Sequence, residues 1–318
     1  MLSKNQIKNI TTLHSKKERS EAGLFIIEGD KLVAEALDSS YTIETIYALS
    51  AWLDENDRKI KDSNTKLVDV TADELKKISL LSTANNVLAV CKQKQFDLDI
   101  SLFQDKLSLY LDDIRDPGNL GTIIRLAHWF GIPQIICSPE TVEFYNPKAV
   151  QSTMGSIFHV NLVTMDLGEV LVNNGENKPA KVFGALLEGE NIYLKDNFTS
   201  GILVIGNESN GISSKNLKFI SDKIKIPPAS ENHAESLNAA MATSIFLSEY
   251  LRRKKYFKKI EKTLASHKNV STFAPPFERR CLCGSSDKEG LKKKDLKFLN
   301  IFLEIKKRLL LLHPNRTR

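Results

Sequence analysis

Between Gly201 and Gly206 stand four apolar residues in a row, Ile202, Leu203, Val204 and Ile205. A half-wet strand alternates polar and apolar positions, and this run has no polar position at all. It reads as a strand covered on both faces, which requires helices above and below the sheet. The chain supplies them in alternation. Residues 107–114 predict a strand, 119–131 a helix, 134–139 a strand, 149–163 a helix running into a strand, and 181–189 a further strand. A long helix is predicted over 234–257. Strands alternating with helices and bounded by glycine imply a mostly parallel, doubly wound sheet.

A smaller block precedes it. Ile7, Ile10 and Leu13 recur at helical spacing. Leu24 to Ile27 reads as a short buried strand, Gly29 turns the chain, and a helix follows with Leu32, Val33, Ala36 and Leu37 on one face. Residues 42–49 predict a second strand and 66–70 a third, after which Thr71 and Glu74 have the spacing of a capping box at the start of a helix. Residues 87–93 predict a last strand. This alternation predicts a small α/β domain over 1–95, a polar linker over 96–104, a second α/β domain over 105–257 and an extension over 258–318.

Charge divides the chain in the same place. Residues 1–251 hold 25 Lys/Arg against 33 Asp/Glu, whereas residues 252–318 hold 20 against 6. The net charge of +6 therefore belongs to the tail. Such a tail suits phosphate contacts with a polyanion, or else a solvated extension. Its apolar-basic stretch over 296–312 could form an amphipathic helix. No apolar run approaches the roughly 18 residues of a membrane span. The first residues lack a signal-peptide hydrophobic core. Four cysteines, Cys91, Cys137, Cys281 and Cys283, are too few to staple a chain of 318 residues, so a cytoplasmic location is expected. Cys281 and Cys283 form at best half a zinc pair, with His267 and His313 too remote to complete it by pattern; no metal is expected.

Three segments place polar residues where strands end, the edge at which open α/β sheets bind ligands. In the first, the turn from Asp116 to Asn119 opens a helix that carries Arg125. Read alone, this is a turn with an asparagine cap, except that an arginine among Ile123, Ile124, Leu126 and Ala127 asks for a partner. In the second, the apolar strand ends at Gly206, and Asn210 and Gly211 supply turn chemistry around Glu208. A dinucleotide fingerprint is absent, because Glu208 stands where its middle glycine would be, which argues against a nucleotide-binding oxidoreductase. In the third, Ile226 ends a strand, Pro227 and Pro228 force an extended turn, and Ser236 is predicted to cap the long helix with Asn238 in its first turn. Singly, each segment is an ordinary loop.

In order, however, they resemble the three signature motifs of the SpoU (TrmH-like) branch of the SPOUT RNA 2′-O-ribose methyltransferases. The matching residues are Asn119 and Arg125, then Leu203, Val204, Gly206, Glu208 and Gly211, then Ile226 and Pro227 with Ser236, Leu237 and Asn238. The likeness covers about 105–257, and residues 25–37 resemble the small RNA substrate-binding domain that precedes the catalytic domain in many members. The resemblance implies a mostly parallel sheet tied into a trefoil knot and flanked by helices. It implies S-adenosyl-L-methionine as cofactor, held at Leu186, Leu187, Gly206, Asn207, Gly211, Ile226 and Leu237. It implies a homodimer acting on rRNA or tRNA, with Asn119, Arg125, Glu208, Ser236 and Asn238 as the catalytic set.

By the same resemblance Arg125 is a candidate base. Lowering the pKa of an arginine from its ordinary value to about 7 would cost roughly 7 kcal/mol. The alternative keeps Arg125 charged, on the phosphate beside the target ribose. Asn119, Glu208, Ser236 and Asn238 would orient Arg125 and the ribose. A catalytically inactive RNA-binding paralogue is the rival reading, and the intact set of polar residues argues against it. The loop between Ile226 and Ser236 is long and carries Glu231, His233 and Glu235.

Overall fold

The computed structural model describes residues 1–61, 65–174, 180–195, 197–230, 232 and 234–268, with side chains up to Lys254. The tail stretch over 296–312, the four candidate metal ligands except for the backbone of His267, and Glu231 and His233 lie outside the described residues.

Two helices, α1 (Lys4–Thr12) and α2 (Lys16–Ala22), lead into β1 (Leu24–Glu28), α3 (Asp30–Leu37), β2 (Ile43–Ala48), α4 (Ser50–Lys61), β3 (Lys66–Asp69), α5 (Ala72–Ile78) and β4 (Val87–Lys92). These strands form one sheet in the order β1-β4-β2-β3. The capping box at Thr71 is present as the spacing predicts, with the Thr71 hydroxyl accepting from the Glu74 N–H and the Glu74 carboxylate accepting from the Thr71 N–H. The alternation does not give strand direction, and the sheet is mixed: β4 runs antiparallel to both β1 and β2, and only β2 and β3 are parallel.

The predicted linker is more ordered than its polar composition suggests. The Asp99 N–H donates to the Gln134 side-chain oxygen at 2.9 Å, and a short helix α6 (Leu102–Asp105) buries Phe103. Beyond it come β5 (Leu107–Leu111), α7 (Pro117–Phe130), β6 (Gln134–Cys137), α8 (Pro147–Thr153), β7 (Asn161–Thr164), α9 (Leu167–Asn174), β8 (Val182–Asn191), β9 (Gly201–Ile205), α10 (Ser214–Leu217), β10 (Asp222–Lys225) and α11 (Ala239–Lys268). The second sheet has the order β10-β8-β9-β5-β6-β7, and every pairing in it is parallel. Its two central strands, β5 and β9, are buried at all five positions, as the unbroken apolar run of β9 requires; in β5 the polar Ser108 is buried as well. The fold is thus a mostly parallel α/β sheet flanked by helices, with a smaller mixed sheet before it. Among the described residues, no helix is long and apolar enough to cross a membrane.

Helix α7 shows why the sequence folds as it does near the site. Asp116, not Asn119, is its cap: the Asp116 carboxylate accepts from the Asn119 N–H at 2.8 Å, and Pro117 occupies the first turn, where no N–H is needed. Leu120, Ile123, Ile124 and Ala127 recur every three or four residues and form its buried stripe. Gly121 lies on the same side, where α7 crosses α8 with backbones in contact. A Cβ there would sit 2.4 Å from the Ala149 carbonyl oxygen and 2.5 Å from the Ser152 Cβ. Gly121→Ala is therefore expected to overpack the crossing and cost about 1–3 kcal/mol, read as a lower midpoint in urea denaturation. An unchanged midpoint would mean that the two helices separate freely.

Candidate active site

Strand order brings two of the three motifs side by side. β9 pairs directly with β5, so the loop after Leu111 and the loop after Ile205 leave the sheet from neighbouring carboxyl ends. From β5 the chain runs to β6 and β7 on one side, while β8, β9 and β10 lie on the other, which makes this the topological switch point where such sheets bind ligands.

The loop after β9 is closed on itself. Asn207 and Gly211 exchange both backbone hydrogen bonds, at 3.0 and 2.9 Å. The buried Asn207 side chain accepts from the N–H groups of Ser209 and Asn210 and donates to the Asp113 carbonyl at 2.8 Å. Gly211 takes the positive φ of +65° that the turn needs, but Asn210 does not share it; among the described non-glycine residues the positive values fall on Asp113 and Met154. Gly206 is required by this same loop. A Cβ at Gly206 would lie 2.3 Å from the Gly211 carbonyl carbon, so the loop's own backbone fills the space beside it. Asp112 completes the frame by accepting from the Ser213 N–H at 2.7 Å.

Held in this way, the half-buried Glu208 accepts from the Asn119 side-chain amide at 2.5 Å. The Asn119 side-chain oxygen in turn accepts from the Asn238 amide at 3.0 Å. The chemistry of the groups fixes every direction in this chain of bonds. A carboxylate only accepts, so the Asn119 nitrogen must face Glu208 and its oxygen must face away. Asn238 uses its own oxygen to cap α11, accepting from the N–H groups of Ala240 and Met241 at 3.0 and 3.3 Å, so its nitrogen must face Asn119. Asn238 is thus the helix cap, and the predicted cap Ser236 lies two residues outside the helix, exposed. Both residue types cap well; Asn238 has the position from which it meets the free N–H groups and Asn119 together.

The remaining predicted residues are placed apart from this network. Arg125, six residues along α7, is exposed and has no ion pair among the described residues, so the partner expected for it is not found there. It lines a groove of about 790 Å³ between α7 and α11, with Trp129, Phe130, Tyr193 and Ile245. Leu187 and Leu237 are 72% and 49% exposed, at the far half of β8 and just before α11, with Leu186 and Ile226 partly covered. Uncovered leucines at the carboxyl edge suit a flat apolar ligand such as an adenine ring.

Four charged residues at the rim were not among the predicted site residues. Arg115 pairs with Asp113 at 3.0 Å, and Lys148 with Asp116 at 3.3 Å. The Asn119 N–H holds the Asp116 carboxyl below the usual carboxylate range, with Lys148 adding to the effect. The signal for Asp116 was present, since an aspartate directly before a proline at a helix start is a capping pattern. Among the described residues no cluster of three or more His, Cys, Asp or Glu could hold a metal ion.

Comparison with known proteins follows the same lines. The model of the SpoU rRNA methylase family matches residues 106–248, and that of an MRM3-like substrate binding domain matches residues 4–89. The 23S rRNA (guanosine(2553)-2′-O)-methyltransferase RlmP of Bacillus subtilis (strain 168) is 30% identical over 246 residues, covering 77% of this chain and 95% of that protein. The AdoMet-bound rRNA methyltransferase from Sinorhizobium meliloti superposes with a TM-score of 0.70 at 29% identity, covering 79% of this chain and 96% of the other. The SpoU methyltransferase AviRb from Streptomyces viridochromogenes, in complex with the cofactor AdoMet, gives 0.70 at 26% identity, with 79% and 98% covered.

Proposed function

Since the chain belongs to the SpoU rRNA methylase family, we propose that the bonded series Glu208, Asn119 and Asn238 is the catalytic centre of an RNA 2′-O-ribose methyltransferase. The activity is S-adenosylmethionine-dependent transfer to a ribose 2′-hydroxyl of RNA. The observation that carries the site is the convergence of all three motifs, with partners 89 and 119 residues apart in the chain, at one sheet edge.

S-adenosylmethionine supplies an already activated methyl group when bound. Leu186, Leu187, Ile226 and Leu237 are the side chains that would line its apolar part, and the backbone around Gly206, Asn207 and Gly211 borders the same edge. The protein's task is then position and electrostatics. The Glu208 carboxylate and the α11 terminus lock the Asn119 amide, whose second N–H is left to orient the ribose. Ser236, exposed beside Leu237, offers a further hydroxyl on the RNA side. Arg125 is exposed, so water stabilises its charge, and a charged guanidinium suits a phosphate. The experiment that tests the reading is methyl transfer from labelled S-adenosylmethionine to bulk rRNA and tRNA, followed by mapping of 2′-O-methyl sites. No transfer to either RNA would overturn it.

The proposal divides the chain into an RNA-binding domain over 1–95, a linker over 96–104, a methyltransferase domain over 105–257 and a basic extension over 258–318. It includes a trefoil knot in the second sheet. Gly189 lies where the parallel β8–β10 ladder shifts register, and a Cβ there would lie 2.7 Å from the Lys223 carbonyl carbon. It places the protein in the cytoplasm, with which the free, buried thiols of Cys91 and Cys137 agree.

The acting unit in this reading is a homodimer. Trp129 is 83% exposed in the groove beside Arg125, and a second copy laid over α7 and α11 would cover it. Sedimentation equilibrium should find a dimer for the native chain at micromolar concentration and a monomer for Trp129→Glu. A native monomer under those conditions would remove the dimer from the proposal.

A further inference from the structure

Arg19 is the largest fully buried side chain described, at 1% exposure, and it is a charged one. A buried guanidinium is costly unless its donors are satisfied and its charge is paired. Two of its bonds are local: one terminal nitrogen donates to the carbonyls of Leu13 and His14, both at 2.8 Å. The third crosses the molecule. Its Nε donates to Glu143, which is 124 residues away in the loop before α8, at 2.7 Å.

Glu143 has company on the same stretch. The Tyr145 hydroxyl takes the Lys94 N–H at 2.8 Å and gives its own proton to the Lys94 carbonyl at 2.8 Å, which pins the backbone just beyond β4. The Tyr145 ring stacks obliquely on Phe25 of β1, with centroids 4.5 Å apart. Further along, His159 meets Glu35 of α3 at 2.8 Å. Every one of these ties to the first sheet and its helices comes from residues 143–159.

The other side of that stretch touches the helix that carries the site. α8 meets α7 at Gly121, two residues from Asn119, with no room for a methyl group between them. Lys148 of α8 also reaches Asp116, the cap of α7, at 3.3 Å. One segment therefore grips the N-terminal block on one face and the catalytic helix on the other.

We propose that residues 143–159 are a positioning element, in which the buried Arg19–Glu143 pair and the Tyr145 hydroxyl fix the N-terminal domain to α7, so that RNA held by that domain meets Asn119 in register. This rests on the reading of residues 1–95 as RNA-binding and of Asn119 as catalytic. None of Arg19, Glu143 and Tyr145 touches the reacting atoms; each acts through α8 and α7. The cost of loosening them is one of orientation, and misplacement by about 1 Å can lower a rate about a hundredfold.

The test uses the full chain with spin labels at Lys59→Cys and Val172→Cys, in a background where Cys281 and Cys283 are serine, diluted with unlabelled protein. Both label sites are exposed, one on α4 and one on α9. Pulsed dipolar spectroscopy should give a narrow distance distribution for the native sequence and a broad one for Glu143→Ala. In single turnover on rRNA, Glu143→Ala should lose about tenfold in rate with RNA Kd within about twofold, because orientation is lost and phosphate contacts are kept. Glu143→Gln should recover most of the rate, since its side-chain oxygen still accepts from Arg19. Tyr145→Phe, which keeps the ring against Phe25, gives the same test should Glu143→Ala fail to fold. A broad distribution in the native protein, or a native rate in both Glu143→Ala and Tyr145→Phe, overturns the proposal. A narrow, Glu143-dependent distribution in a protein that transfers no methyl group would leave the clamp standing and overturn the activity instead.

Discussion

Replacing Asn119 by alanine is expected to lower methyl transfer by about two to three orders of magnitude, the range seen when one preorganised donor is removed from a reacting centre. S-adenosylmethionine affinity should hardly change, because the apolar residues assigned to the cofactor lie on β8, just after β10 and just before α11. The fold should also hold. The Asn119 side chain is half-buried, and α7 keeps its cap at Asp116 and its stripe of Leu120, Ile123, Ile124 and Ala127. Asn119→Asp is the sharper variant. It sets a carboxylate against the Glu208 carboxylate where an N–H now bridges at 2.5 Å, so it should be no better than alanine despite its similar size. Single-turnover rates with calorimetric cofactor titration would check both. Alanine activity within a few fold of native would remove Asn119 from the catalytic centre.

How far such a site can be read from sequence depends on whether the determining contacts are local. The buried strand Ile202–Ile205 was legible because burial on both faces leaves a mark at every position. The Thr71–Glu74 capping box was legible because both partners lie within one turn. The direction of β4 was not, since alternation of apolar residues is the same whichever way a strand runs. The helices α4 and α9 were passed over, the first because SAWLDENDRKIK is mostly polar with few apolar anchors, the second because its eight residues lie beside the end of β7.

The candidate site divides in the same manner. That Asn119, Glu208 and Asn238 lie in segments that follow strands is legible from the pattern. That they bond to one another follows from β9 lying beside β5, which no local spacing records. A second need for Gly206 was hidden for a related reason: the closed loop from Asn207 to Gly211 brings its own backbone against the side where a Cβ would stand. The cap of α11 was placed at Ser236 because serine is a good cap. Asn238 takes it because one amide can bond the helix with its oxygen and Asn119 with its nitrogen, and a serine offers a single atom for both.

Arg125 presents the largest expected effect outside that network. It lies six residues beyond Asn119 on α7, about 9 Å along the axis at 1.5 Å per residue, and it lines the groove between α7 and α11. Arg125→Ala should reduce methyl transfer about a hundredfold or more, as loss of an arginine stabilising developing charge does elsewhere. Cofactor affinity should be unchanged, because Arg125 has no part in the apolar edge. Arg125→Lys separates the two roles left open by the sequence. A general base must give up its proton before it acts, and lysine in the same place would do so at a different pH, moving the rate profile. A phosphate-binding cation needs only its charge, so lysine should retain about a tenth of the rate on an unmoved profile, the loss reflecting the missing planar fork. The salt dependence of RNA binding gives an independent reading. Its slope in log Kd against log salt should fall by about 0.7 to 0.9 in Arg125→Ala, the value for one phosphate contact, and by much less in Arg125→Lys. Native activity in Arg125→Ala would exclude both roles. A profile displaced by lysine, with an unchanged salt slope for alanine, would return Arg125 to the part of the base.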